Sequence, residues 1–165
     1  MKDTARFTMV LFLICLCAAI LLGAVHAITE PRIEKTRQEQ EEAAIKEVAF
    51  GAQQIEKAEK EGFIYYRALD NQNKLIAYIF TCEAKGYSSV IRAVVGVDPG
   101  GKIMAVKILE QNETPGIGSQ ITQDSFLNKL KGKDKTGKFD TISGATISSS
   151  AFIQAVKSGL EKVLP

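Results

Sequence analysis

Near the C-terminus, Asp140-Thr141-Ile142-Ser143-Gly144-Ala145-Thr146-Ile147-Ser148-Ser149 gathers hydroxyl side chains around a Gly-Ala pair. Gly144 and Ala145 carry so little bulk that a ligand can approach the backbone closely. Phe152, Ile153, Val156, Leu160 and Leu164 follow at helical spacing, which predicts a terminal helix capped by Ser148, Ser149 or Ser150. The free N–H groups and positive dipole end of such a helix favour an anion beside Thr146. The alternative is a capped turn with no ligand, and a Ser-rich turn alone would support it.

A second stretch, Glu110-Gln111-Asn112-Glu113-Thr114-Pro115-Gly116-Ile117-Gly118-Ser119, breaks regular structure at Pro115 and two glycines, leaving N–H groups free in a tight turn. Other chemistries find little support. The single histidine, His26, lies in an apolar run, so no Ser-His-Asp nucleophile can form within the chain. No Cys/His cluster has zinc or iron–sulfur spacing, so no metal site is expected. Cys15 and Cys17 are inside the apolar run, and Cys82 is expected to be a buried core thiol. A net charge of +2 offers no large basic surface for nucleic acid.

Asp140-x-x-Ser143-Gly144-Ala145-Thr146 resembles the flavinylation signal of covalent FMN-binding domains. Gly86-Tyr87-Ser88, Val95-Gly96-Val97-Asp98 and Glu113-Thr114-Pro115-Gly116-Ile117-Gly118 follow the order seen in the RnfG family, whose members are components of the Rnf electron-transport complex. NqrC, a component of the sodium-pumping quinone reductase, is similar at greater distance. The resemblance implies FMN held through a phosphoester to Thr146 and placed there by a separate flavin transferase. It also implies that Ser143, Gly144, Ala145 and Ser149 surround the linkage, that Asp140 serves the modification signal, and that Glu113, Thr114, Gly116 and Gly118 lie against the flavin. Tyr87 is either a neighbour of the flavin ring or a loop anchor.

These stretches need elements to hold them. From Phe7 to Ile28 there is no Asp, Glu, Lys or Arg. At about 1.5 Å per residue this run can cross the roughly 30 Å hydrocarbon core of a bilayer. Lys2 and Arg6 precede it, which puts residues 1–6 in the cytoplasm and the rest of the chain on the extracytoplasmic side of the cell membrane. Val25-His26-Ala27 also suits signal-peptide cleavage, but the apolar run is longer than a signal core, so a retained anchor is expected. A lipid anchor on Cys15 or Cys17 lacks the preceding small residues.

Residues 29–61 read as a membrane-proximal helix. Pro31 suits its start, Ile33, Ala44, Ile45, Val48, Ala52 and Ile55 form a thin stripe, and Glu42–Lys46 and Glu56–Lys60 are favourable pairs. Residues 62–165 form the expected FMN-binding domain. Phe63–Arg67 with Leu75–Phe80 flank an Asp-Asn-Gln-Asn turn, and Ile91–Val97 with Ile103–Leu109 flank Asp98-Pro99-Gly100-Gly101. Two hairpins predict an antiparallel sheet with helices on one face, an α+β fold. Thr122 is expected to cap a short helix that turns Phe126, Leu127 and Leu130 inward. Lys131–Lys138 reads as a solvated basic loop, or one touching the flavin phosphate or anionic lipid.

The function implied is electron transfer by an FMN-bearing subunit of a membrane-bound, ion-translocating ferredoxin:NAD oxidoreductase, alongside the complex's other membrane subunits. With one anchor, no nucleotide fold and no complete catalytic site, the chain is a relay and not the pump. A stand-alone flavinylated exported carrier and a non-catalytic anchored structural subunit are the alternatives.

Overall fold

The computed structural model describes residues 2–164. The side chains of residues 2, 3 and 5 are outside that description, so the charge expected at Lys2 lies outside it too. The chain divides into two compact units, Met1–Gln40 and Glu41–Pro165.

The first unit belongs to helix α1 (Lys2–Val48). Its apolar side chains stand exposed, among them Phe7, Leu11, Leu22 and Ile28, and the helix is long and apolar enough to cross a membrane. No new helix starts at Pro31; α1 runs straight through it. Proline removes one backbone hydrogen bond, and the Ala-, Glu- and Arg-containing flanks supply enough helix propensity to carry the turn across.

The second unit is built on a five-stranded antiparallel sheet in the order β1-β2-β3-β4-β5. Its strands are Gln54–Lys60, Phe63–Leu69, Leu75–Lys85, Val90–Val97 and Ile103–Glu110. Both predicted hairpins are present. Asp70 Oδ1 accepts the N–H groups of Gln72 (2.7 Å) and Lys74 (2.9 Å), and Asp98 Oδ1 accepts that of Lys102 (2.9 Å). These Asx contacts fix the turns.

β1 is the strand that propensity hides. Gln-Ile-Glu-Lys-Ala-Glu-Lys reads as helix, and the sequence assigned it to one that continued to residue 61. Instead α1 stops at Val48, and Phe50 (φ 42°) and Gly51 (φ 78°) turn the chain back. Residues 54–60 then pair with β2, from Gln54↔Leu69 to Lys60↔Phe63. Ile55 thus belongs to the sheet, and Glu56 meets Arg67 across the strands (3.7 Å) instead of Lys60 along a helix. Pairing with an existing strand overrides a helix preference of a few tenths of a kcal/mol per residue. The charged side chains also suit an edge strand, because they discourage further pairing.

Helices cover both faces of the sheet, not one. The last turns of α1 bury Ala44, Ile45 and Val48 against Ala68, Ala77, Ile79 and Val94. On the opposite face α3 (Thr146–Val163) and α2 (Asp124–Leu130) pack Phe152, Val156, Leu160, Phe126 and Leu130 against Phe80, Cys82, Ile91 and Val95. Burial from both sides explains why residues 93–97 of β4 read as an unbroken apolar run. Cys82 lies in this core as expected, and burial pushes its thiol up to about 12. Leu164 falls beyond the helix end, so Val163 takes the last buried place on α3.

The approach of α3 to the sheet depends on Gly159, where an added Cβ would run into the Phe80 ring. Gly159→Ala is expected to destabilise the domain by about 1–3 kcal/mol, as overpacked cores do. Thermal melts of the full chain in detergent would read this, and an unchanged melting temperature would mean that Phe80 can swing aside.

α2 turns Phe126, Leu127 and Leu130 inward as predicted, but Thr122 does not cap it. Gln123 holds the N-cap position, and the Thr122 hydroxyl donates to Ser119 O (2.8 Å). The basic loop after α2 has a structural task. Gly132 N–H donates to Ile103 O (2.8 Å) and Ile103 N–H to Lys133 O (2.9 Å), so the loop closes one end of the free edge of β5. The Lys133 ammonium donates to Lys138 O, and Lys133 and Lys157 lie 5.3 and 5.0 Å from the centre of the Phe139 ring.

Candidate functional site

The turn into α3 begins at Gly144, whose φ of 83° suits glycine, and closes with Ala145 N–H donating to Ile142 O (3.0 Å). Ala145 then takes the N-cap position without any side-chain cap. The three serines proposed as caps lie inside the helix, where their hydroxyls serve other partners. Ser149 Oγ donates to Ala145 O (2.8 Å) and accepts Ile142 N–H (3.0 Å), so it braces the turn from within. Ser150 Oγ donates to Ile147 O (3.2 Å). Ser148 Oγ donates across to Glu113 Oε2 (2.6 Å).

No side chain among the described residues therefore satisfies the start of the helix. Among the described residues, the N–H groups of Thr146, Ile147 and Ser148 have no acceptor. Thr146, the first residue of α3, is exposed, and its hydroxyl makes only a long contact to Ile142 O (3.4 Å). A free hydroxyl beside free N–H groups is what a tethered phosphate needs.

Glu113 organises the other wall. It is 5% exposed, and its carboxylate accepts the N–H groups of Tyr87 (3.1 Å), Ser88 (3.1 Å) and Ser89 (2.8 Å), together with the hydroxyls of Ser89 (3.1 Å) and Ser148 (2.6 Å). Burial works to raise its pKa, but these hydrogen bonds outweigh it and hold the carboxyl below its ordinary value. Glycines leave room for this arrangement. A Cβ on Gly118 would come within 2.7 Å of Glu113 Cβ, and one on Gly86 within 2.5 Å of Glu113 Oε1. One side chain thus ties the Gly86–Ser89 turn and the Glu113–Gly118 loop to the first turn of α3.

Because the folded-state pKa is lowered, the Glu113 contribution to stability is complete above the unfolded value of about 4.3 and is lost as pH falls through the folded value. The melting temperature should therefore decline as pH drops below the ordinary Glu range, and Glu113→Gln should remove part of that decline while lowering stability near pH 7. Melts from pH 7 to 3 check this; an unchanged slope in the variant would assign the acid sensitivity elsewhere. Asp134, held low by hydrogen bonds from the Thr136 hydroxyl and N–H, contributes in the same direction and is untouched by this change.

Between the three segments lies a cavity of about 510 Å³, lined by Tyr87, Glu113, Thr114, Ile117, Gly118 and residues 144–148. That volume is within the roughly 300–1,000 Å³ range of small-molecule sites. Tyr87 is 71% exposed, and Ile117 (49%) and Ile147 (57%) also present apolar surface. Tyr87 is anchored through its N–H, which leaves its ring free, so the two roles considered for it are compatible. Exposed apolar side chains lining one cavity with a threonine hydroxyl and N–H donors suit a ring system carrying a phosphate tail.

Of the residues singled out by sequence, Glu113, Thr114, Gly118, Gly144, Ala145 and Thr146 line this cavity. Ser143 and Asp140 are exposed outside its lining, and Ser149 is buried behind the turn. Gly116 is also outside the lining; at φ 74° it shapes the loop, with its N–H donating to Ser119 Oγ (2.9 Å). Ser148 and Ile147 were missed as site residues. Ile147 does carry a signal, as an apolar residue lying off the stripe that α3 buries.

Residues 86–161 match the family model of the FMN-binding domain, and residues 1–48 match that of the RnfG N-terminal region. The chain is 31% identical to the subunit designated G of the proton-translocating ferredoxin:NAD(+) oxidoreductase complex of Clostridium ljungdahlii, over 90% of this chain and 85% of that one. It is 30% identical to the subunit of the same designation in the ion-translocating oxidoreductase complex of Haemophilus influenzae, over 94% and 88%. Among solved structures, NqrC of Shewanella oneidensis superposes with a TM-score of 0.52 at 28% identity, over 59% of this chain and 55% of that chain. The N-terminal and C-terminal matches thus agree with near-full-length relatives, and the chain belongs to the RnfG family of ion-translocating oxidoreductase (Rnf) complexes.

Proposed function

We propose that this protein is the electron-transfer subunit of an ion-translocating ferredoxin:NAD oxidoreductase complex, with FMN esterified through its phosphate to Thr146. The observation that carries the reading is the start of α3: an exposed threonine hydroxyl next to three N–H groups that have no acceptor among the described residues, opening into a cavity with free apolar surface. The named relatives are subunits of such complexes, and the matched domain is described as FMN-binding.

The residues fit the group. The N–H groups of Ile147 and Ser148 would receive the phosphodiester, and the positive end of α3 would stabilise its charge. Tyr87, Ile117 and Ile147 would flank the ring system and exclude water, while Gly144 and Ala145 leave the linkage unobstructed. Bound FMN supplies the redox chemistry, and the protein supplies position and field. Ser143 and Asp140 are exposed and precede Thr146 closely in the chain, where they would serve recognition by the flavin transferase. Ser149 acts indirectly, by holding the turn.

One membrane span by α1, with residues 1–6 in the cytoplasm and the FMN domain outside it, completes the proposal. Arg6 ahead of the apolar run supports that orientation. A permanent ester suits a compartment in which a dissociated flavin would be diluted away. The decisive measurement is peptide mass mapping of the full chain purified from membranes of cells that contain a flavin transferase. The peptide bearing Thr146 should carry the mass of FMN less water, and an unmodified peptide from such cells would reject the reading.

A further inference from the structure

The Glu113 carboxylate is buried beside the cavity, and among the described residues no Lys or Arg pairs with it. All five of its partners are neutral donors, three backbone N–H groups and two serine hydroxyls. Such donors stabilise a carboxylate locally without cancelling its charge. The field of a dipole falls away faster than that of a net charge, so an unpaired anion persists at longer range, and weakly screened surroundings preserve it. A neutral side chain could tie the same loops together. The chain instead keeps a full negative charge next to the place where electrons are to be held.

We infer that Glu113 is a positioning residue that also acts as a fixed anion, holding down the reduction potential of the flavin in this cavity. The inference rests on the FMN reading above. Each electron taken from a donor, dithionite in a titration, adds one negative charge to the flavin unless a proton follows. A nearby carboxylate makes that addition less favourable and keeps the reduced flavin strongly reducing. Charge placed beside a flavin is one of the ways a protein sets its electronics.

Two substitutions separate charge from shape, because Glu113→Gln keeps an oxygen able to accept the 2.6 Å bond from Ser148, whereas Ser148→Ala removes that bond. Glu113→Gln removes the charge, and Ser148→Ala keeps it while taking away one of the opposing dipoles turned toward it. The test is a potentiometric titration of the full-length flavinylated chain in detergent, with flavin content read by mass and folding by thermal melt. Glu113→Gln should shift the reduction equilibrium toward reduced flavin by about tenfold, a rise of about 30 mV for a two-electron couple. Ser148→Ala should move the potential in the opposite direction, and Glu113→Asp, which restores the charge, should return it toward the wild type.

Shifts of the same sign in the Gln and Ala variants would reduce Glu113 to a purely structural tie. So would an unmoved potential in Glu113→Gln. Should Glu113→Gln fail to fold, the sign in Ser148→Ala decides: a fall supports the inference, while a rise or no change overturns it. Wild-type protein without flavin would instead remove the FMN reading itself, so the two failures are distinguishable.

Discussion

Thr146→Ala is expected to abolish covalent flavin while leaving the domain folded. The structure separates those two effects. Thr146 is exposed and its hydroxyl makes only a 3.4 Å contact, so its loss should change stability by no more than about 0.5 kcal/mol, as at most surface positions. The serine hydroxyls flanking it in the chain cannot take its place. Ser148 is committed to Glu113, Ser149 is buried in the turn, and Ser143 lies outside the cavity. The variant should therefore be colourless, with its peptide at the unmodified mass and its melting temperature close to that of unflavinylated wild type. Thr146→Ser keeps a hydroxyl at the same place and should retain flavin. Full covalent flavin on the alanine variant would move the attachment to another residue and refute the assignment.

The sequence made different parts of this molecule visible for different physical reasons. Asp70 and Asp98 announce their hairpins because an Asx turn is a local contact, made within a few residues. The site motifs are legible because Thr146, Gly144 and Glu113 combine residue types that a packed core seldom calls for. β1 was hidden because its Glu, Lys and Ala residues favour helix in isolation, and only pairing with Phe63–Leu69 makes them a strand. The start of α3 was misplaced because three consecutive serines offered a cap that the chain does not use. Nothing local could reveal that Ser148 faces Glu113, 35 residues earlier. The same limit applied to Glu113, which its motif places against a ligand. The turn that binds its carboxylate comes from residues 87–89, and that meeting exists only once the sheet has brought the ends of β3 and β4 beside the loop after β5.

Two glycines of one loop should respond differently to the same added methyl group. Gly118 is buried, and a Cβ there would lie 2.7 Å from Glu113 Cβ and 2.9 Å from Oε2. The first of these atoms is next to the backbone and cannot rotate away. Either the loop moves outward or Glu113 leaves its donors, and a buried carboxylate deprived of partners costs several kcal/mol. Gly118→Ala should therefore destabilise the domain by about 2–4 kcal/mol, combining overpacking with lost hydrogen bonds. It should also reduce flavin occupancy severalfold, because Thr114 and Ile117 move with the loop. Gly116 has open space where its Cβ would be, but its φ is 74°. Gly116→Ala should then cost only the backbone strain, about 1 kcal/mol, and leave flavinylation nearly intact. Melts and peptide mass mapping of both variants decide the matter. Equal losses would show that loop conformation, and not room for the carboxylate, is what this glycine pair protects.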